Sequence, residues 1–570
     1  MEEVRSNKAP SRTSSVGTAT SDPEVLQTNT EKTVQENQKG KKIKLVLTFL
    51  GLQLSLFLAA LDGTIVSTAL PHIGSDFNEM AIVAWVATAY IVTFDAFQPL
   101  FSKFSDIFGR KWILVFGISL FLLASVLCGA AKSMIMLIVF RAIAGIGAAA
   151  IFSMVFVIIS ELVPLEKRGS YQGLVNAVFA LSSVFGPLIG GSFTDYVTWR
   201  WNFYINLPIG AAALLVLILF LQLPTPKDKF TEKLKRIDYV GTALVLAFAT
   251  LFLLALNFGG QMFPWKSAAV IVPLVLAGIL VAVLVIVEVK FAKEPLMPPH
   301  LFKNRSVVSV LLTNIFFGIV FFAMIYYLPI YFQVVRGDSA MWSGIRMIPM
   351  QMIICVFSTA SGLFISKTGI YRPLLGIGMG LITLCVGLIS MFGLETSWSR
   401  IYGFTIIGGM GMGCMFSASI IALQASVAPK DLAVVTGLGN FARILGGALG
   451  VAIASAALNS SLQQDLPNAI PHDLADMVIS SSEFVRRGLP SQYLDVTLRT
   501  YIEGLQLIWH VMIPMAAIGF ISAFFLKHHE MRRPKPGAAQ PESQKEEVVV
   551  EVPSSATGQD DKQVSRPSEK

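Results

Sequence analysis

The chain has 570 residues, of which 54% are hydrophobic and only 14% charged, and its mean hydropathy is +0.65. So much apolar surface cannot be hidden in one soluble core, which excludes a soluble enzyme or binding module and predicts a polytopic membrane protein. The formal charge of +8 is spread among short loops and not gathered into a patch, so no nucleic-acid partner is expected.

The first forty or so residues are polar and rich in Ser, Thr, Lys and Glu, with no charged n-region followed by a short apolar run. No cleaved signal peptide is predicted, and the first apolar helix becomes the first anchor. Apolar runs of about 20 residues, each enough to cross a hydrocarbon core of roughly 30 Å, then follow one another. They lie near 45–70, 81–101, 112–131, 134–160, 172–193, 203–223, 239–258, 267–289, 306–333, 343–366, 373–393, 401–426, 435–457 and 506–526. The predicted fold is an all-α polytopic membrane protein with about fourteen transmembrane helices, both termini on one side. Segments 1–43 and 528–570 have the composition of disordered tails.

Orientation follows from the loop charges. One alternate set of loops holds Lys103, Arg110, Lys111, Lys167, Arg168, Lys227, Lys229, Lys233, Lys235, Arg236, Lys290, Lys293, Lys303 and Arg305. The opposite set holds little more than Lys132, Arg200, Lys266, Arg336 and Arg400, so both tails are expected in the cytoplasm. A long outer loop is expected over 459–503.

The two halves echo one another. Ser102, Asp106 and Gly109 are spaced like Gly362, Ser366 and Gly369, and Gly173, Leu174, Asn176 and Gly186 recur as Gly437, Leu438, Asn440 and Gly450. A duplicated transporter would show this pattern. It divides the chain into a six-helix bundle at 44–226, two inserted helices with basic flanking loops at 227–303, and a second six-helix bundle at 304–527.

Ionisable residues inside the spans are the functional candidates, because an ionised group at bilayer depth costs at least about 2.5 kcal/mol unless it is paired or reaches water. Asp62 near the outer end of the first span and Arg141 early in the fourth both fall roughly 12 Å below the outer surface at 1.5 Å per residue, so they can pair. A structural salt bridge and a coupling site fit this equally. Asp95, beside Gln98 and Pro99 in the second span, reads either as a water-facing carboxylate or as a proton or cation site. Arg346 and Arg443 read as packing anchors or as cavity residues. The fifth span contains Gly186-Pro187 and Gly190-Gly191, where small residues admit close helix approach and proline removes a backbone donor. This is either a packing kink or a hinge. Glu161 and Arg110 both belong at the inner face, where they can form a breakable ion pair. Cavity walls for amphipathic or cationic organic molecules could come from the aromatic ninth span, with Phe317, Phe321, Tyr326, Tyr327 and nearby Gln333, or from Met410, Met412 and Met415, although interhelical packing explains such residues as well.

Cys128, Cys355, Cys385 and Cys414 all fall in apolar runs and form no disulfide framework. No metal-ligand spacing, phosphate loop or nucleophile constellation is present in the sequence, so no cofactor, metal or enzymatic activity is expected.

Leu61-Asp62-Gly63-Thr64-Ile65-Val66 with Ala69-Leu70-Pro71, then Asp106, Gly109, Arg110 and Lys111, Arg141 with Gly145 and Gly147, and Gly186-Pro187 with Gly190-Gly191 resemble successive signatures of the major facilitator superfamily. Trp199-Arg200-Trp201, Phe203, Ile205-Asn206 and Pro208-Ile209-Gly210 resemble its fourteen-span drug:proton antiporter branch, as does Tyr326–Gln333 followed by Ser343-Gly344 and Pro349. Ser102, Ile107, Ala144 and Ser182 depart from the family pattern. The resemblance implies the major facilitator fold, a role for Asp62 and Arg141 in proton or substrate coupling, an antiporter hinge at Gly186-Pro187, and a cytoplasmic latch of Asp106, Arg110 and Glu161. The expected activity is proton-coupled export of drugs, toxins or secondary metabolites by a monomer in the plasma membrane. A vacuolar transporter of basic amino acids and a non-transporting membrane sensor are the alternatives.

Overall fold

Away from water a chain must satisfy its own backbone hydrogen bonds, so apolar runs of spanning length become helices. The computed structural model describes residues 23–527 apart from 67–68, 80–81, 84, 225, 227, 260–262, 293 and 481–483; for residues 23–42 and a few others within helices, Pro187 among them, it describes the backbone alone. The segments 1–22 and 528–570, together with Lys227 and Lys293, lie outside the described residues. Fourteen long helices follow in chain order: α1 Pro23–Ile65, α2 Trp85–Phe108, α3 Arg110–Gly129, α4 Met134–Leu162, α5 Leu165–Tyr196, α6 Asn206–Phe220, α7 Tyr239–Phe258, α8 Ala268–Lys290, α9 Arg305–Ile330, α10 Ala340–Thr368, α11 Arg372–Ile389, α12 Trp398–Ala425, α13 Leu432–Ala469 and α14 Ser491–Phe524. Among the described residues there is no β-strand. Twelve of these helices are long and apolar enough to cross a membrane. The other two, α2 and α5, have 24 and 32 residues and are the ones that carry Asp95, Gln98, Gln172 and Asn176. The protein is a multi-pass membrane protein of all-α architecture.

Local chemistry sets the ends of these helices. Ser133, Asp238, Asn304 and Ser339 each accept a hydrogen bond from a first-turn amide, those of Met136, Gly241, Ser306 and Trp342. Gly109 (φ 94°) makes the one-residue turn from α2 to α3, and Gly369 (φ 77°) closes α10 in the left-handed region. At the other extreme, α1 begins at Pro23, some twenty residues before its apolar stretch. Composition predicts a disordered tail there. A polar segment joined to an anchored helix needs no nucleus of its own and can extend that helix, which accounts for the difference.

Helices α1–α6 pack together, with α2 and α3 against α4, α1 against α5 and α6, and α3 against α6. Helices α9–α14 form a second group in which α9 and α13 pack closely, α10 and α11 lie on α12, and α14 closes against α9, α11 and α13. The inserted α7 and α8 form a hairpin, and α7 touches both α2 and α13. The groups meet along two seams, α5 on α10 and α2 on α13. These seams carry the residues of the sequence echo. A methyl group at Gly437 would strike Ser102, and one at Gly173 would strike Thr359, three residues from Gly362. Because Ser102 answers to Gly362 and Gly173 to Gly437, the two seams are the same contact made twice by a duplicated unit.

On the outer side, α9 ends in a wider turn, Tyr331–Val335. The outer loop forms short helices His472–Ser480 and Phe484–Arg487. Arg486 donates to the carbonyls of Val334 and Val335 at 2.6 and 2.5 Å, and Tyr501 donates to Val478 O at 3.2 Å, which ties the loop onto the second bundle.

Candidate functional site

Asp62 lies in the last turn of α1 and Arg141 two turns into α4, and antiparallel packing brings them to one level. Arg141 Nη1 donates to Asp62 Oδ2 at 2.5 Å, and both side chains are almost wholly buried. The remaining groups are satisfied as well. Arg141 Nε donates to Val86 O at 3.1 Å, its guanidinium lies over the ring of Tyr90 at 4.2 Å, and Tyr90 itself donates to Ala59 O. Asp62 Oδ1 accepts from Asn206 Nδ2 at 3.0 Å, and the same amide group lies 3.3 Å from Ser125 Oγ. A buried ion pair is tolerated only with such a full set of partners.

Asn206, Ser125 and Tyr90 were not among the candidates. Asn206 is the first residue of α6, and a polar residue at the head of an apolar span was the available signal. The Trp199–Asn206 stretch acquires a physical role here. Phe203 covers Arg141 at 5.8 Å, Trp199 donates to Asp76, Arg200 lies over Trp199 and donates to the carbonyls of Gly129 and Ala131, and Asn202 donates to Thr194. Together they plug the outer end of the first bundle above the ion pair, which Asn206 then ligates from the same segment.

Asp95 stands apart from this cluster. It is 3% exposed, and its Oδ1 has no hydrogen-bond partner. One turn on, Gln98 is fully buried with neither amide atom partnered. Across from them in the second bundle, Tyr326 lies within electrostatic range of Asp95. Tyr326 itself is 48% exposed.

At the inner face, the turn at Gly109 sets Arg110 back over the end of α2. Arg110 Nη2 donates to Asp106 Oδ1 at 2.5 Å, Nε to Glu161 Oε1 at 2.6 Å and Nη1 to Ser105 O at 3.0 Å. One guanidinium thereby fastens α2, α3 and α4 together. The seam beside it is closed. Gly169 and Gly362 lie backbone to backbone, Asn176 donates to Ser358 Oγ, Ser358 and Ser417 share a hydrogen bond, and Arg168 donates to Gln424 at 2.9 Å.

Helix α5 runs unbroken through the Gly186-Pro187 pair. Gly186 is where α1 comes closest, against Thr64, whose hydroxyl donates to Ser182 O at 3.1 Å. Gly190 is buried and Gly191 half-buried with open space beside it, while the side chain of Pro187 lies outside the described residues.

The aromatic candidates divide by helix phase. Phe317 is fully buried against Phe321 and Phe416, and Tyr327 turns into the second bundle, its hydroxyl 3.5 Å from Val451 O. Phe321 is half-buried at the edge of that cluster. Gln333 donates to Ser343 at 2.9 Å and ties the end of α9 to α10. Arg443 is buried, donates to Asn440 Oδ1 at 3.0 Å and lies 5.0 Å over Phe416, with no carboxylate paired to it among the described ion pairs. Arg346 anchors the outer ends of α10 and α12, 3.7 Å over Trp398 and hydrogen-bonded to Asp338 and Tyr402. Among the described residues no cluster of His, Cys, Asp or Glu could hold a metal ion.

Known proteins share this organisation. The family model of the Major Facilitator Superfamily matches residues 52–451. The chain is 36% identical over 507 residues to the "MFS-type efflux pump MFS1" of Arthroderma benhamiae, covering 88% of this chain and 94% of that one. It is 35% identical over 496 residues to "Efflux pump dotC" of Dothistroma septosporum, covering 86% and 84%, and 33% identical over 508 residues to "MFS-type efflux pump LUC4" of a Fusarium species, covering 87% and 89%. Among solved structures, the human organic anion transporter MFSD10 superposes with a TM-score of 0.53 at 15% identity, covering 85% of this chain and 99% of that one. The proton:xylose symporter XylE superposes at 0.51 and 16%, covering 86% and 98%. Those two likenesses establish the common fold. With the family model spanning most of the helical region and relatives above 30% identity along nearly their whole length, the chain belongs to the major facilitator superfamily.

Proposed function

We propose that this protein is an efflux transporter that exports amphipathic or cationic organic compounds, drugs or secondary metabolites, in exchange for protons. The observation that carries this reading is the buried Asp62–Arg141 pair with Asn206 as its third member. The efflux-pump names of the relatives support the same direction of transport.

The pair suits coupling because its energy depends on a single proton. While Asp62 is ionised, the two charges compensate and the outer ends of α1, α4 and α6 are held together. A proton added to Asp62 Oδ2 cancels the carboxylate charge and leaves Arg141 with a carbonyl and two aromatic faces. An uncompensated buried charge costs several kcal/mol, enough to favour a rearranged packing of these helices. Exchange between an arrangement closed at the α5–α10 and α2–α13 seams and one opened there gives alternating access. A potential of about 100 mV contributes roughly 2.3 kcal/mol per charge moved across the membrane, before any pH difference is added. The Arg110 latch, confined to the cytoplasmic face, holds the inner ends of α2, α3 and α4 in register during that exchange. Residence in the plasma membrane fits export, and imaging of a tagged copy tests it against the vacuolar membrane.

The test uses purified protein in sealed vesicles under an imposed pH gradient. Wild type accumulates an amphipathic dye and stops when a protonophore is added, and Asp62→Asn inserts normally but shows no gradient-driven accumulation. Transport indifferent to the protonophore would remove proton coupling from the reading.

A further inference from the structure

We infer that Thr64 is the positioning residue through which the charge state of Asp62 reaches α5. Its hydroxyl clasps α5 beside Gly186-Pro187 while Asp62 is ionised and lets go when the end of α1 moves. The inference rests on the transport reading above and names the contact that carries the coupling.

The described groups that face Asp62 come from other helices than α5. Arg141 of α4 and Asn206 of α6 bond to it, and Tyr90 of α2 and Cys128 of α3 lie within range of its charge. Yet α5 is the helix that shuts the seam with α10, so a proton on Asp62 needs a route to it.

Thr64 supplies that route. It follows Asp62 by two residues in the last turn of α1, and its Oγ1 lies 3.1 Å from Ser182 O of α5, 3.0 Å from Leu61 O and 3.3 Å from Ala60 O. A hydroxyl has one proton to give. It can serve the neighbouring helix or fold back on its own at little cost, and a small shift of the α1 end decides between the two. The place it touches is a weakened one. Pro187 has no N–H, so the Ser183 carbonyl lacks its usual partner four residues on. Ser182 O is the carbonyl next to it, on a residue only 1% exposed, and a methyl group at Gly186 would strike Thr64 itself.

Six residues nearer the start of α5, Asn176 donates to Ser358 Oγ, and farther on Gly169 meets Gly362, both in the α5–α10 seam. With the clasp made, α5 is held against α1 and the seam stays shut. With it released, the turn that lacks a rung can bend and the seam can part, which gives the ion pair a two-state element to bias.

The test labels Cys355, whose thiol donates to Asn176 O in that seam at 3.4 Å, with an impermeant maleimide in vesicles whose cytoplasmic face is outward. Asp62→Asn, which removes the carboxylate charge, should raise labelling severalfold. Thr64→Val should raise it by a similar factor with Asp62 unchanged, and the two together should add less than twofold to either alone. Thr64→Ser keeps the hydroxyl and should show wild-type labelling with the full response to Asp62→Asn. Gly186→Ala displaces the same hydroxyl from the α5 side and should match Thr64→Val. Wild-type labelling in Thr64→Val overturns the clasp. Factors that multiply in the double variant overturn it as well, and leave Thr64 a packing residue that acts independently of Asp62. The two readings fail separately. Multiplying factors beside protonophore-sensitive uptake refute the clasp alone, and non-additive labelling beside uptake indifferent to a protonophore refutes the transport reading alone.

Discussion

Gly169 of α5 and Gly362 of α10 touch through their backbones, and a methyl group on either would overlap the other's main chain. This backbone contact lies at the end of the α5–α10 seam where α5 begins and α10 ends, the end expected to face the cytoplasm.

Overpacking a close contact costs about 1–3 kcal/mol, and here the strain falls only on the arrangement in which the seam is shut. Gly362→Val should therefore shift the protein towards an inward-open arrangement. Cys355 is the readout, because its thiol donates to Asn176 O in the seam and it is the one cysteine of the four that is not fully buried. Labelling of Cys355 by an impermeant maleimide from the cytoplasmic side should rise severalfold in Gly362→Val. Unchanged labelling would show that the seam does not move.

Removing one member of a buried ion pair is far more damaging than removing both, because the survivor is left charged and bare. Asp62→Ala should lower stability by about 3–5 kcal/mol. The double variant Asp62→Ala with Arg141→Met should recover a good part of that loss without recovering transport. Thermal unfolding in detergent, run beside vesicle uptake, separates the two effects.

Asn206→Leu removes the donor to Asp62 Oδ1 and leaves that oxygen and Ser125 Oγ facing apolar surface. The expected destabilisation is about 1–3 kcal/mol. A changed external-pH midpoint for uptake at constant internal pH should accompany it if the amide tunes the coupling carboxylate. A stability loss with an unmoved midpoint would confine Asn206 to packing.

Gly109, at φ 94° and ψ 140°, occupies a backbone region that is essentially glycine's alone and costs another residue about 1–3 kcal/mol. Gly109→Ala should therefore displace Arg110 from Asp106 and Glu161. Arg110→Ala removes the same contacts without backbone strain, and each half-exposed pair contributes no more than about 1 kcal/mol. Uptake should fall in both variants, with the larger drop in melting temperature in Gly109→Ala.

Much of this was legible in the sequence because bilayers impose a length scale. Runs of spanning length located the fourteen helices, and counting residues from the outer surface placed Asp62 and Arg141 at one depth. The meeting of Arg110 with Glu161 followed from the expected position of both at the inner helix ends, whereas Asp106 entered the expected latch only through the family resemblance. What could not be read depends on rotation about a helix axis. Tyr326 and Tyr327 are equivalent as neighbours in a sequence, yet one is exposed and the other is buried. That phase is set by the contact of α9 with Gly446, Gly447 and Gly450 of α13, which lies over 100 positions away in the chain. Asn206 was hidden for a related reason, since its role depends on a turn of non-membrane chain folding back over the pair. The helical stretch from Pro23 was missed because composition reports solvation and not continuity with an anchored helix.

The inserted hairpin touches both bundles, but unequally. Val245 and Leu284 share an apolar cluster with Leu100 of α2, and Lys103 at the foot of α2 meets Glu294, which Arg236 also holds at 2.8 Å. Toward α13 the hairpin makes only apolar contact, Ala249 beside Phe441 with Phe248 and Leu445 at the margin. In the alternating-access scheme proposed above, the extra pair of helices would therefore travel with the first bundle like an outrigger, with slip expected between α7 and α13. A fourteen-helix member of this family then needs no more moving parts than a twelve-helix one.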